Sequence, residues 1–155
     1  MARTPAFLSY PFAPGLILPL ALLIAACGPD TDATLPGDAG SNTPYDGIGM
    51  GDVLRFTGTE PFWGGKAKGN TLTYSTPEDI SEQVITASRF AGRGGLSFSG
   101  TLREGAFTMA VTEGACSDGM SDRTYPFTVT LEIAGLIRQG CAWSDNRPFE
   151  GPDAP

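Results

Sequence analysis

The residues best suited to chemistry lie between positions 114 and 127, in the stretch GACSDGMSDRTYPF. This stretch holds one cysteine, two serines, two aspartates and one arginine. Oxygen-bearing side chains at this spacing could ligate a hard cation through Asp118, Ser121 and Asp122, or act as acid and base in hydrolysis. They could also form a recognition loop, or hold a tight turn by accepting backbone N–H groups. Composition alone leaves these interpretations open.

The chain contains no histidine, and this weakens the catalytic interpretation of the stretch. A serine nucleophile needs an adjacent base, and neither serine lies in a Gly-x-Ser-x-Gly elbow. The EF-type calcium pattern with its terminal glutamate is also missing. We therefore expect no catalytic residue, no metal and no cofactor, and keep a hydrolase or metal protein using Asp118 and Asp122 as a minority alternative. In the favoured interpretation both aspartates accept backbone N–H groups, Arg123 pairs with one of them, and Tyr125 begins the next strand.

A second candidate is the segment TEPFW at residues 59–63, where two large aromatic side chains follow a proline. The proline favours an extended conformation at Glu60, so Phe62 and Trp63 point to opposite faces if the strand continues. One ring would then fill the end of the core. The alternative is an aromatic platform for a ligand or partner.

Apolar and polar residues alternate along the chain, and this pattern predicts the elements that position these side chains. Alternation is strict over residues 96–103, 107–112 and 125–133, as expected for antiparallel strands with one face in solvent. Further strands are predicted at residues 53–57, 70–75, 83–90 and 139–143, with a single helical turn at 77–80 as an alternative. About seven strands with glycine turns indicate an all-β fold, either a small antiparallel β-barrel or a sandwich.

The first residues have the layout of a secretory signal, with an apolar run over residues 15–26 and no acidic residue before it. The run is about a dozen residues long, whereas a membrane-spanning helix needs about 20. A permanent transmembrane helix and a buried core helix are therefore the weaker interpretations.

The end of this run, IAAC at residues 24–27, resembles the lipobox of bacterial lipoproteins. The resemblance implies removal of residues 1–26 as a signal peptide and lipidation of Cys27, which would become the N-terminus and carry palmitate-like acyl chains. In lipoproteins of the Gram-negative type, a residue other than aspartate after that cysteine implies export to the outer membrane, and here Gly28 follows. We expect an outer-membrane anchor with the protein facing the periplasm.

Lipidation of Cys27 would leave Cys116 and Cys141 as a pair in an oxidising compartment. We expect them to form one disulfide, and two free buried thiols are the alternative. Residues 27–51 are rich in Gly, Pro, Asp and Thr, which predicts a disordered linker. The β domain is then expected at residues 52–147, with a loose tail at 148–155.

The chain is acidic, with 17 acidic and 10 basic residues. Residues 1–26 contain one arginine and no acid, so the processed chain would carry a formal charge of −8. Such a protein does not bind nucleic acid by general electrostatics, and its charged partners would be cations or basic proteins. Acidity that serves only solubility is the alternative.

Three segments together resemble a family of bacterial envelope lipoproteins: TEPFW at 59–63, CSDGMSD at 116–122 with the following Tyr-Pro at 125–126, and GCA at 140–142. The resemblance covers residues 56–143. It implies a small β domain with a bridge between Cys116 and Cys141, distantly similar to the META-type domains of heat-shock lipoproteins. It implies no reaction, because the family has none assigned. The alternating strand expected after Trp63 is interrupted here by GGKAK at 64–68.

A weaker similarity is to the membrane-bound inhibitors of c-type lysozyme, which are small disulfide-linked β-barrel lipoproteins. In those proteins a serine-bearing loop enters the lysozyme cleft. Residues 121–125, SDRTY, are loosely like their Ser-Gly-x-x-Tyr motif, with Asp122 in place of the glycine.

We therefore expect a lipid-anchored, non-enzymatic binding or envelope-maintenance protein. The alternative is a periplasmic inhibitor of c-type lysozyme that uses the loop at 117–125. The expected partners are the membrane, through the lipid, and a basic protein such as lysozyme, with no nucleic acid. The candidate partner-binding residues are Asp118, Ser121, Asp122, Arg123, Tyr125, Phe62 and Trp63.

Overall fold

A computed structural model of the protein describes residues 43–152. The predicted signal peptide, the predicted lipidation site Cys27, residues 28–42 of the predicted linker and residues 153–155 lie outside the described part. Within residues 43–152, no helix is long and apolar enough to cross a bilayer. The strands are β1 Val53–Thr59, β2 Phe62–Lys68, β3 Thr71–Ser75, β4 Gln83–Thr86, β5 Ser88–Ala91, β6 Gly95–Leu102, β7 Gly105–Cys116, β8 Tyr125–Ile133 and β9 Leu136–Ser144.

All pairings between these strands are antiparallel, in one sheet with the order β4-β3-β2-β1-β9-β8-β7-β6-β5. The two strands at the ends of this order, β4 and β5, follow each other in the chain, so the sheet curls into a nearly closed barrel. The prediction of an all-β antiparallel fold is confirmed, and of its two alternatives the barrel is observed.

The described residues form nine strands and not about seven, and β2 is one of the two that the prediction lacked. Alternation is lost there because Gly65 of β2 lies opposite Phe56 of β1, whose ring occupies the space of a side chain. A Cβ at Gly65 would lie 2.0 Å from the backbone carbonyl oxygen of Thr73 in β3 and 2.8 Å from the Phe56 ring. The neighbouring pair repeats the arrangement, with Gly58 of β1 opposite Trp63 of β2. The glycines therefore permit the strand by making room for two rings inside a narrow barrel.

The second additional strand comes from the run predicted as one strand at 83–90. It divides at Ala87, whose N–H donates to the carbonyl of Asn70 at 2.7 Å. β4 pairs with β3 and β5 pairs with β6, so this run passes from one end of the sheet order to the other. The polar segment 77–80, where a helical turn was the alternative, is non-helical.

The barrel interior is filled by side chains from alternate strand positions, which form one apolar cluster. The aromatic members are Phe56, Trp63, Tyr74, Phe98, Phe107 and Phe127, and aliphatic ones such as Leu54, Met109, Val111, Val129, Leu131 and Ile133 pack between them. This burial of apolar area is the main force that holds the sheet together.

The predicted domain boundary at residue 52 is wrong, because residues before it pack on the barrel. Ile48 is a buried member of the core, and the N–H of Tyr45 donates to the carbonyl of Gly92 at 2.7 Å. The backbone carbonyl of Ile48 also accepts a hydrogen bond from Arg89 at 2.7 Å. The composition of this segment had suggested too little apolar burial to offset the conformational entropy that is lost on ordering. Burial of the Ile48 side chain in the core offsets that loss.

The predicted loose tail is corrected in the same way for residues 148–152. Thr124 and Glu150 exchange two backbone hydrogen bonds of 2.9 Å, which form an isolated antiparallel bridge. Phe149 packs against Tyr125 and Trp143, with ring centroids 5.6 and 5.8 Å away. The backbone bridge and one aromatic residue thus order a segment whose composition is otherwise that of a loop.

Candidate functional site

A disulfide between Cys116 and Cys141 anchors the loop that connects β7 to β8, as predicted. Cys116 ends β7 after a register shift in its pairing with β8, and Cys141 lies in β9. The bridge therefore ties the end of β7 across β8 to the next strand. A crosslink between residues 25 positions apart stabilises a fold by about 3 kcal/mol in the chain-entropy model.

Asp118 organises the loop through four hydrogen bonds. One carboxylate oxygen accepts the backbone N–H groups of Met120 and Ser121, at 3.0 and 2.8 Å. The other accepts the hydroxyls of Ser121 and Tyr125, at 2.8 and 3.0 Å. Burial by itself would raise the pKa of Asp118, but these four donors outweigh it and lower the pKa to about 2. The turn interpretation of Asp118 is confirmed.

The serine and glycine residues of the loop also bond within it. The Ser121 hydroxyl donates to Asp118 and accepts the backbone N–H of Arg123 at 3.3 Å. The Ser117 hydroxyl accepts the N–H of Gly119 at 3.1 Å, and Gly119 has a φ of 71°, a conformation that favours glycine. The loop is therefore held in one conformation by its own polar groups.

The far end of the loop is held by the chain beyond β9. The Nε of Arg123 donates to the carbonyl of Pro152 at 2.9 Å, and its guanidinium lies 4.5 Å from the centre of the Phe149 ring. Phe149 and Trp143 form an edge-to-face pair that also contacts Tyr125. We did not predict the roles of Trp143 and Phe149, and the only sequence signal was two aromatic residues after the last alternating strand.

The loop also folds back against the end of β1, next to the TEPFW segment. The Thr59 hydroxyl donates to the backbone carbonyl of Asp118 at 3.2 Å. Between the loop and β1 lies a cavity of about 300 Å³, here called the loop cavity. Its lining residues are Thr57, Thr59, Phe62, Asp118, Met120, Ser121, Arg123, Tyr125 and Trp143. The structure thus joins the two segments that the sequence had marked as separate candidates.

Phe62 and Trp63 point to opposite faces of β2, as predicted. Phe62 is 50% exposed and lines the loop cavity, whereas Trp63 is 3% exposed and packs in the core beside Phe56 and Tyr74. The interpretation of Trp63 as a partner-binding residue is corrected by this burial, because its ring lies inside the barrel. Asp122 is exposed on the loop but does not line the cavity.

A larger cavity of about 490 Å³ lies near the bulge in β7, and its lining includes Glu113 and Arg147. These two side chains form an ion pair, and Glu113 also accepts the Tyr45 hydroxyl at 2.8 Å. Burial and the bond to Glu113 raise the pKa of Tyr45 above its usual range. Glu113 thus joins Arg147 to Tyr45 and ties the chain before β1 to the barrel.

The chemistry open to the loop is limited by this bonding. Both carboxylate oxygens of Asp118 already accept two donors each. Among residues 43–152, no group of three or more His, Cys, Asp or Glu side chains could hold a metal ion. Comparisons of the chain with protein-family models, with curated proteins and with solved structures found no match.

Proposed function

We propose that this protein is a non-enzymatic binding module of the bacterial cell envelope, anchored to a membrane through lipid on Cys27. The observation that carries the proposal is a rigid loop that borders an apolar cavity, with Phe62 and Met120 exposed at its rim. Their exposed fractions are 50% and 66%. Large apolar side chains left in water beside a concave surface are typical of a protein interaction site.

The rigidity of the loop supports a binding role. Its two ends are fixed by the disulfide and by the contacts of Arg123 with Pro152 and Phe149. Asp118 fixes the middle through its four hydrogen bonds. A surface that is ordered before binding loses little conformational entropy when a partner docks, so more of the contact energy appears as affinity.

The state of Asp118 supports a role without catalysis. A carboxylate with a pKa of about 2 is a weak base near neutral pH, and it is not protonated there to act as an acid. The neighbouring Ser121 hydroxyl donates to this carboxylate and has no histidine beside it for activation, since the chain has none.

Photocrosslinking in intact bacterial cells tests the proposed surface. A photoreactive amino acid replaces Phe62 or Met120 in the full chain, and Val84 of β4, which is 64% exposed and outside the loop cavity, serves as the matched position. We expect the same crosslinked product from positions 62 and 120 and none of that size from 84. Equal products at all three positions, or none at 62 and 120, would contradict the proposal.

Inhibition of c-type lysozyme is the second candidate function. It is favoured by the rigid, exposed loop and by the acidic Asp122 at its surface, which would attract a basic enzyme. The Ser121 hydroxyl is already hydrogen-bonded within the loop. This weighs against Ser121 acting as the serine of the inhibitor motif does.

A cell-wall lysis assay with the full chain in detergent separates the two candidates. If the second candidate holds, the wild type slows lysis by lysozyme, and both Asp122→Arg and the pair Ser121→Ala with Arg123→Ala relieve the inhibition. Lysis at the same rate with and without the protein excludes lysozyme as the target and leaves the binding module.

A further inference from the structure

We infer that the loop cavity receives one large apolar side chain from a protein segment in which basic residues flank that side chain. This inference rests on the proposed function and specifies the partner of the same site. It follows from the walls of the cavity, from the bonding of its polar groups, from its size and from the charges at its rim.

The walls that remain available for contact are apolar. Phe62 and Met120 are half-exposed or more, and Trp143 is partly buried beside them. Aromatic rings and a flexible thioether adapt to an inserted aliphatic or aromatic group, and each favours contact with carbon over contact with water.

The polar groups of the cavity are largely used within the protein. Of the six polar lining side chains, those of Thr59, Asp118, Ser121, Arg123 and Tyr125 all make hydrogen bonds inside the chain. A sugar or another hydroxyl-rich ligand would bury its hydroxyl groups where few hydrogen-bonding groups of the protein are available to them. Each unpaired buried polar group costs about 1–3 kcal/mol of binding free energy. An apolar side chain carries no such penalty.

The size of the cavity suits a single side chain. At about 300 Å³ it lies at the lower limit of the cavities that hold small organic ligands, which run from about 300 to 1,000 Å³. A single anchoring residue seated in a pocket, with weaker contacts around it, is a common arrangement at protein interfaces.

Two acidic residues adjoin the lining residues of the cavity in the chain. Glu60 precedes the Pro61-Phe62 pair, Asp122 follows Ser121, and both acidic residues are exposed. The cation among the lining residues, Arg123, lies over Phe149 and bonds to the chain beyond β9. Lysine or arginine on either side of the inserted side chain would therefore lie near opposite charge. This raises the rate of association and favours one alignment of the partner segment on the protein.

Synthetic peptides test the inference with the full chain in zwitterionic detergent micelles. The probes are fluorescein-labelled peptides with a central Phe, Leu or Ala between two lysines on each side, and the same peptides with glutamates. Fluorescence anisotropy above that of protein-free micelles gives the affinity. We expect the Phe and Leu peptides with lysines to bind about 10- to 100-fold more tightly than the Ala peptide, as burial of a large apolar side chain implies.

Substitutions inside and outside the cavity locate the binding. Met120→Glu should abolish the preference for Phe and Leu, and Phe62→Ala should reduce it, whereas Val84→Glu on the exposed face of β4 should leave it unchanged.

Tryptophan fluorescence gives a second measurement. The chain has two tryptophans: Trp143 lines the loop cavity and Trp63 lies in the core, so a change at the cavity is expected in the emission of Trp143. Binding should shift the emission of the wild type but not that of Trp143→Phe.

Equal affinity for central Phe and Ala, or a preference for glutamate flanks, would overturn the inference. So would an emission shift of Trp143 with a soluble N-acetylglucosamine oligomer and none with the peptides, because a glycan would then be the occupant. If photocrosslinks form at positions 62 and 120 while no peptide discriminates, the proposed function stands and the inference about its partner fails.

Discussion

At the scale of single residues, Asp118 has the largest structural role in the loop. Its carboxylate is the common acceptor for two backbone groups, a serine and a tyrosine. A hydrogen bond to a charged group contributes about 1.5–3 kcal/mol where it is buried, and less where solvent screens it. Asp118 is partly exposed, so its contribution is expected at the lower end.

Replacement of Asp118 by asparagine is expected to lower the free energy of unfolding by about 1–2 kcal/mol at neutral pH. The pKa of Asp118 is lowered from 3.8 to about 2 in the folded protein, so the carboxylate stabilises the fold above pH 3.8 and loses this effect as the pH falls toward 2. The stability difference between wild type and Asp118→Asn should therefore shrink over that window. Chemical denaturation at several pH values from 2 to 7 measures it.

Tyr125→Phe is the matched control, because it removes one of the four bonds and keeps the charge. It should cost about 1 kcal/mol and retain most of the pH dependence. A constant difference between wild type and Asp118→Asn across the pH range would contradict the assigned role of the carboxylate.

The sequence predicted the residue-scale features that depend on near neighbours. Asp118 was recognisable as a turn acceptor because its donors lie two, three and seven positions along the chain. The opposite directions of Phe62 and Trp63 follow from strand geometry alone. The cavity was not predictable, because the contact of Thr59 with Asp118 spans 59 positions and depends on which strands pair.

At the scale of elements, aromatic rings and glycines form complementary pairs between β1 and β2. Trp63 lies over Gly58 and Phe56 lies over Gly65, and Gly140 of β9 also faces the Trp63 ring. Cross-strand pairs of this kind let a ring cover the backbone of a glycine and compensate for its missing side chain. Periodicity cannot reveal such a strand, because the residue that faces the core there has no side chain.

Gly58→Ala is expected to destabilise the protein by about 1–3 kcal/mol or more, because overpacking a filled core forces rings from their positions. The new Cβ would lie 2.1 Å from the Trp63 indole nitrogen and 2.8 Å from the Gln139 carbonyl oxygen. Thermal unfolding followed by circular dichroism measures the loss.

Gly114→Ala in β7 is the matched substitution, since the nearest atom to its Cβ would be a Thr128 methyl at 3.7 Å, an ordinary contact. It should change stability by less than about 1 kcal/mol. Equal melting temperatures for the Gly58 and Gly114 variants would show that the Trp63 ring can move aside.

Of the strands with strict alternation, β6 and β8 were predicted to within one residue, whereas β7 is twice as long as the predicted strand at 107–112. The position at which the chain passes from β4 to β5 was not predicted. Nothing in the local pattern of residues 83–90 marks Ala87 as the point where the chain leaves β3 and joins β6. That change is imposed by the curvature of the whole sheet, which is a property of the assembled barrel.

At the scale of the whole molecule, the proposed lipid anchor would hold the protein at a membrane. The lipobox resemblance implies that Cys27 carries the lipid, and Cys27→Ser should therefore release the protein from the membrane fraction and abolish incorporation of labelled palmitate. The disulfide supplies an internal control, because the Cys116–Cys141 linked peptide should persist in this variant by mass spectrometry. Palmitate incorporation into Cys27→Ser would contradict the lipidation site.

The near closure of the sheet at Ala87 has a consequence for aggregation. A long open sheet edge offers unpaired backbone groups on which another chain can add a strand and begin aggregation. Here the two strands at the ends of the sheet order are four residues each and are joined directly in the chain. Short edge strands offer few backbone groups to another chain, so we expect the exposed apolar residues to serve recognition with less risk of fibril growth than they would beside a long open edge.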